Sequence, residues 1–255
     1  MDIATFNVNS VKARLDFVLH WLEARRPDVV CLQELKVDAE HFPADAFLAA
    51  GYHAQLHAQA QWNGVAVLSK AGSTLVHAGL SGADELGARV VTAHVEGIDI
   101  TSVYVPNGKT VEHDDYERKL HFLDVFRSYL EHRVASGTPQ IVGGDFNICP
   151  ADIDSYAPQP EHIFHTPKER ERMRALFDLG LVDLYREANP DGTMFSWWDY
   201  RAGSFHKNRG LRIDLLLASP TLPCGEVVID RDYRKKKEGL TPSDHAPVIA
   251  TITAP

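Results

Sequence analysis

Apolar residues recur along the chain in two spacings: short continuous runs, and stretches with one apolar position every three or four residues. These are the marks of strands and of amphipathic helices. "DIATF" (2–6) reads as a strand. From Val11 onward Leu15, Val18, Leu19 and Leu22 fall at helical spacing until Pro27 stops the segment. "DVVCLQE" (28–34) is a second strand, apolar enough to be buried. "NGVAVLSK", "ARVVTAHV" and "IDITSVYV" are short β runs separated by turn residues, as in an antiparallel meander. A long helix then carries Tyr116, Leu120, Leu123 and Leu130 on one face, with Gly137 beyond its end. A strand runs into Asp145. "TPKE" (166–169) offers Thr as N-cap, Pro at the first helical position and Glu three residues after the cap. Met173, Leu176 and Phe177 form that helix's apolar face, and Gly180 closes it. "RIDLLLAS" and "APVIATITA" are the last strong strands. No linker or low-complexity tract interrupts the pattern. It predicts one α/β domain over residues 1–255, with mixed sheets covered by helices on their outer faces. "VVCLQE" and "IVGGDFN" echo one another: each is a strand that delivers an acid.

Composition narrows the class. Cys31, Cys149 and Cys224 are odd in number and widely spaced, with no C-x-x-C, which argues against a disulfide framework or structural zinc and suits a reducing cytosol. "MDIATFNV" lacks the basic-then-apolar pattern of a secretory signal, and no apolar run approaches the roughly 18 residues of a membrane span, so a cytoplasmic protein without a membrane partner is expected. The net charge of −9 disfavours a polyanion partner, yet residues 201–240 carry nine Lys/Arg against five acids, a local +4 that could steer an anion. "RKKKEG" inside that window also fits an ordinary solvated loop.

Polar residues gather at strand ends: Asn7, Glu34, Asp145 with Asn147, Asp214, and Asp244 with His245. Sites are commonly assembled there. Carboxylates and amide carbonyls are hard oxygen donors that suit Mg²⁺ or Mn²⁺. In an extended chain Asp145 and Asn147 project to one side and Phe146 to the other. "GGDFN" is equally a turn composition. Asp214 lies in an apolar run, where an unpaired carboxylate is costly. It needs a partner, either His245, whose tautomer it would fix, or Arg212.

Taken together, "FNVNS", "LQELK", "YVPNG", "GGDFN", "RGLRIDLLLAS" and "PSDHAP" resemble, in order from about residue 3 to residue 252, the exonuclease III family of abasic-site endonucleases and 3′-exonucleases. The resemblance implies a four-layer α-β-β-α sandwich of two mixed, mainly antiparallel sheets packed face to face. It implies a Mg²⁺-dependent nuclease, with Mn²⁺ able to substitute, that acts as a monomer on duplex DNA with abasic sites or 3′ ends. Glu34 would be the principal metal ligand with Asn7 beside it, Asp244 close to the metal, and Asp145, Asn147 and His245 within the same set. Asp145 would orient or deprotonate the attacking water, or protonate the leaving group. Asn147 would hold a phosphate oxygen, Tyr104 would be the active-site tyrosine, and Asp214 the acid paired with His245. Gly143 and Gly144 would let the DNA backbone approach. "FSWWDYR" resembles the loop that lines the minor groove and the flipped-sugar pocket, with Trp197 and Leu211 on the pocket and Ile213 nearby. By periodicity alone, however, Phe195 and Trp197 could be core with Trp198 turned away. Asn107, Lys207, Arg209 and Arg212 would contact DNA. The segment 148–166 is short and carries His162 and His165, a bulk that could obstruct a flipped sugar and leave mainly 3′-end work. Related lipid and inositol phosphodiesterases, and a silent DNA-binding relative, are the competing readings. The tryptophan loop and the full set of catalytic residues count against them.

Overall fold

The computed structural model describes residues 1–253. Strands β1 (Asp2–Asn7), β2 (Val29–Gln33), β3 (His53–His57) and β4 (Val65–Ser69) join β11 (Cys224–Ile229) and β12 (Val248–Ile252) in one sheet, ordered β11-β12-β1-β2-β4-β3. The second sheet is ordered β5-β6-β7-β8-β10-β9, from β5 (Thr74–Ala78), β6 (Val90–Val95), β7 (Ile98–Tyr104), β8 (Gln140–Asp145), β9 (Val182–Asp183) and β10 (Asp214–Ala218). In each sheet one central pair is parallel, β1 with β2 and β7 with β8, and all others are antiparallel. A parallel pair needs a crossover. Helices α1 (Leu15–Arg25) and α3 (Asp114–Ala135) supply it at equivalent places, so the echo between "VVCLQE" and "IVGGDFN" corresponds to matching strands β2 and β8.

The central strands read as continuous apolar runs because both their faces are covered. On β2, Val29 and Cys31 enter the core between the sheets, while Val30 and Leu32 face α1 and α2 (Ala44–Ala49) with Phe17, Trp21 and Phe47. On β10, Leu216 and Ala218 point inward, and Leu215 and Leu217 pack under α3 and α4 (Pro167–Phe177) with Phe122, Phe126 and Met173. The expected α-β-β-α layering is therefore present. A polar thread crosses the sandwich beneath Glu34: Thr5 Oγ1 donates to Gln33, Gln33 Nε2 to Ser102 Oγ (3.1 Å), and Ser102 Oγ to the Leu32 carbonyl (3.0 Å).

Thr166 and Glu169 form the capping box read from "TPKE", with Pro167 in the first turn. α1 begins at Leu15 and not Val11, because residues 8–11 run beside residues 33–35 instead: Val8, Ser10 and Val11 donate their amides to Gln33, Glu34 and Leu35 carbonyls at 2.8–3.1 Å. The glycines before Asp145 serve packing, not DNA approach. A Cβ on Gly144 would lie 2.0 Å from the Val103 carbonyl oxygen, and one on Gly143 would press on Cys31 and Leu216 at 3.0 Å.

Candidate active site

Three chain segments bring the site together at one end of the sandwich. β2 ends at Gln33 and hands over Glu34, whose φ of +53° is a left-handed conformation rarely adopted by a residue with a Cβ. It is held there by the Ser10 amide on its carbonyl and by Leu35 and Lys36 amides on Gly64 and Asn63. β8 ends in Asp145, buried at 1% exposure. The loop before β12 supplies Asp244 and His245. Donor atoms of Glu34, Asp145 and His245 all lie within 4.8 Å of one another.

Asp214, the first residue of β10, settles its own pairing. Its carboxylate receives His245 Nδ1 at 2.9 and 3.1 Å, and Ser196 Oγ takes its backbone amide. His245 Nε2 is left facing Asp145 Oδ2 at 3.8 Å. Burial alone would depress the imidazole, but the charge and hydrogen bond of Asp214, with Asp145 behind, push it up to about 10. Burial acts the other way on Asp145, raising it to about 7. His245 opposes that rise, while Asp214 and Glu34 add to it. Tyr104, at the end of β7, is driven well above its ordinary value by burial and by Glu34 and Asp145, so it remains a protonated donor. Arg89 stacks over its ring at 4.7 Å.

Asn7 meets the cluster through its NH₂, which donates to Glu34 Oε1 and Asp145 Oδ2 at 2.8 Å each. Its Oδ1 accepts from the Asn9 amide and keeps a second lone pair. Asn7 thus holds the two carboxylates together. Asn147 follows Asp145 in a turn: its φ is +51° and its amide donates to Asp145 Oδ1. Both readings of "GGDFN" are therefore partly right, a strand to Asp145 and a turn after it. Asn147 Nδ2 donates to the Val105 carbonyl and its Oδ1 accepts from Asn107 Nδ2 (3.3 Å). Phe146 is fully buried on the other side, under α3 and α4. Asp244 lies outside the group of three, held by Asn9 Nδ2 (2.9 Å) and Trp197 Nε1 (3.0 Å). Those bonds and the His245 charge keep it below its ordinary value despite burial.

Two clefts flank the cluster. One, of about 550 Å³, is walled by Trp197, Leu211, Phe164, His165, Tyr156 and Arg209. The other, of about 640 Å³, opens from Glu34 and Tyr104 and carries Asn107, Lys36, Arg89 and the exposed Trp62. Trp197 and Leu211 exchange both backbone hydrogen bonds at 2.9 Å. Phe195 and Trp198, not Trp197, are the core residues of "FSWWDYR". Ile213 is buried behind Leu211. Lys207 and Arg209 are exposed. Arg212 corrects the expectation of a DNA contact. It is 1% exposed, with Nε on Asp154 (2.6 Å) and both terminal nitrogens on Asp183, and so has no face left for a phosphate. Asn9 and Lys36 were missed. Lys36 Nζ bridges Glu34 Oε2 (2.8 Å) and Asn9 Oδ1 (2.7 Å). The i, i+2 repeat of Asn7 and Asn9 was the available signal, the same spacing that singled out Asp145 and Asn147.

The donor chemistry fits a hard divalent cation: two carboxylates converge beside one imidazole, with no thiolate near. A sequence profile of the Endonuclease/Exonuclease/phosphatase family matches residues 4–245. The chain belongs to this family. Among members of the endonuclease/exonuclease/phosphatase family, exodeoxyribonuclease III of Haemophilus influenzae is 33% identical over 267 residues, covering 98% of this chain and 99% of the relative. An AP endonuclease structure from Archaeoglobus fulgidus superposes with a TM-score of 0.95 at 33% identity, with all of both chains covered. A Neisseria 3′ phosphatase, NExo, bound to a product DNA hairpin superposes with a TM-score of 0.94 at 36% identity, again over all of both chains.

Proposed function

We propose that the chain is a single-domain, Mg²⁺-dependent DNA repair nuclease that hydrolyses phosphodiesters 5′ of abasic sites and at 3′ ends of duplex DNA. The convergence of Glu34, Asp145 and the Asp214-fixed His245 carries this reading. The relatives named exodeoxyribonuclease III and AP endonuclease support it. Glu34 and Asp145 would hold the ion, with Asn7 keeping their oxygens together and Mn²⁺ able to replace Mg²⁺. When bound, the ion neutralises phosphate charge and stabilises the leaving oxygen. His245, kept cationic by Asp214, and the protonated Tyr104 donate to phosphate oxygens as charge builds. Asn147 and Asn107 position a phosphate oxygen. Asp145 orients or deprotonates the attacking water, or protonates the leaving oxygen. Trp197 and Leu211 wall a sugar or base in the adjoining cleft, and Lys207 and Arg209 meet DNA phosphates. The enzyme acts as a monomer in the cytoplasm.

The test uses a duplex with one internal abasic analogue and another with a recessed 3′-phosphate, each incubated with Mg²⁺ or EDTA and resolved on a denaturing gel. EDTA-sensitive cleavage of either substrate supports the reading, and folded protein inert on both overturns it. A second reading, mainly 3′-end activity, rests on the crowding of the 550 Å³ cleft. His165 is held in its wall by Ser155 Oγ (2.9 Å) and the Ile163 carbonyl, next to Phe164, with His162 also lining the space. His165→Gly should raise abasic incision relative to 3′ trimming, and an unchanged ratio excludes His165 as the obstruction.

A further inference from the structure

Lys119 is a charged residue on the apolar stripe of α3, fully buried between Tyr116 and Leu123. Its amine spends itself on three acceptors. It pairs with Glu169 of α4, and it donates to the backbone carbonyls of Asn147 (2.6 Å) and Asn107 (3.3 Å). Glu169 is likewise saturated: Oε1 also receives the Phe164 amide (3.1 Å) and Oε2 the Thr166 amide and hydroxyl. One buried ion pair thus reaches the two asparagines assigned to the phosphate and, on its other side, the Phe164 wall of the cleft. A pair needed only to hold α3 against α4 would not have to touch the loop carrying Asn147. Arg172 already joins these helices, with Nη2 on Asp124 at 2.9 Å and Nε on the Leu120 carbonyl, and contacts neither asparagine.

We propose that Lys119 is a positioning residue, setting Asn147 and Asn107 against the substrate phosphate and, through Glu169, fixing the cleft wall at Phe164. The inference rests on the nuclease reading above. It predicts a rate defect without a binding defect, because a small displacement of a group that touches the phosphate costs rate steeply.

The experiment compares full-length wild type, the double variant Lys119→Met/Glu169→Gln, and Arg172→Met, all with Mg²⁺ on the recessed 3′-phosphate duplex. Replacing both members of a buried pair is commonly neutral for stability, whereas removing one leaves a buried charge unpaired. The double variant should therefore melt near wild type. Its kcat should fall about 10- to 100-fold with KM within about twofold, while Arg172→Met keeps wild-type kcat. Amide exchange, measured without DNA, gives an independent readout. The Cys149 amide, bonded to the Phe164 carbonyl at 2.7 Å, should exchange faster in the double variant and as in wild type in Arg172→Met. Unchanged kcat with unchanged exchange overturns the proposal, as does an equal loss in Arg172→Met. If the double variant does not fold, Lys119→Arg takes its place. It keeps a cation for Glu169 but displaces the donor from the Asn147 and Asn107 carbonyls, and the proposal predicts a fall in kcat with KM within about twofold, while wild-type kcat in that folded variant overturns it. A wild type without activity would sink the nuclease reading, and exchange at Cys149 would still decide whether the pair orders the loop.

Discussion

Glu34 illustrates how a single residue can be set by function against its own backbone preference. A left-handed conformation at a non-glycine residue costs on the order of 1–3 kcal/mol, and Glu34 bears that strain while placing its carboxylate against those of Asp145 and, through Asn7, within one cluster. Glu34→Gly should therefore abolish Mg²⁺-dependent hydrolysis and yet raise the thermal midpoint by about 2–4 °C, checked by calorimetry of both proteins without metal. A midpoint at or below wild type would show that the backbone is relaxed there. Arg212 is the opposite case. Its guanidinium neutralises Asp154 and Asp183 inside the protein. Arg212→Met should cost about 3–5 kcal/mol by taking the guanidinium from Asp183 and leaving Asp154 with Arg186 alone, read from urea unfolding, and should leave the salt dependence of DNA binding unchanged in whatever protein folds. Both residues were visible as candidates in the sequence, since each stands next to an apolar run. What the run cannot say is which partner lies across the fold. Asp214 found His245 and Arg212 found Asp154, and those pairings depend on segments 31 and 58 residues away.

Among the elements, those buried on both faces were legible and those at the margins were not. The apolar runs of β1, β2, β4, β6, β7, β8, β10 and β12 stand out because sheet and helix both press on them. The four edge strands, β3, β5, β9 and β11, did not: "HAQLH" alternates, but its apolar positions are only Ala54 and Leu56, too little apolar surface to stand out, and "TLVHA" shows no alternation and leaves most of its residues exposed. The register of α1 was misjudged at its start because main-chain pairing beside residues 33–35 outcompetes a helical turn. Element-level electrostatics also yields a pH prediction. Asp99 on β7 is held below its ordinary value: burial would raise it, but bonds from His94 Nδ1 (2.8 Å) and Arg133 on α3 prevail. A carboxylate so depressed contributes stability above the unfolded-state value near 4, and that contribution is lost as pH falls through its lower folded-state value. The stability gap between wild type and Asp99→Asn should therefore be constant above about pH 5 and close as the pH is taken below about 4. A gap that persists at low pH would place the effect in packing instead.

For the molecule as a whole, the three clustered donors come from positions 34, 145 and 245, so only the assembled sandwich presents them together. An ion that binds the folded chain and not the unfolded one stabilises it by mass action. Adding Mg²⁺ at about 100 times its dissociation constant should stabilise the protein by about 2.7 kcal/mol, seen as a higher melting midpoint that EDTA reverses. A midpoint indifferent to Mg²⁺ would mean that this cluster does not hold the ion without DNA. At this scale the sequence was most informative, because β2 and β8 occupy matching places in two sheets of the same strand order, and each delivers an acid, Asp145 as the last residue of β8 and Glu34 one residue past the end of β2.

β1 lies between a neighbour made soon after it, β2, and the last strand in chain order among the described residues, β12. While the chain is being synthesised, β1 and β2 can pair as soon as α1 has crossed over, but the far edge of β1 stays open until residues 248–252 exist. An open apolar edge invites pairing with another chain, and the long loop closed by β1 with β12 makes that last step slow. Newly made protein should be most vulnerable to aggregation in this interval, and the loop bearing His245, three residues before β12, takes its place only as the interval ends.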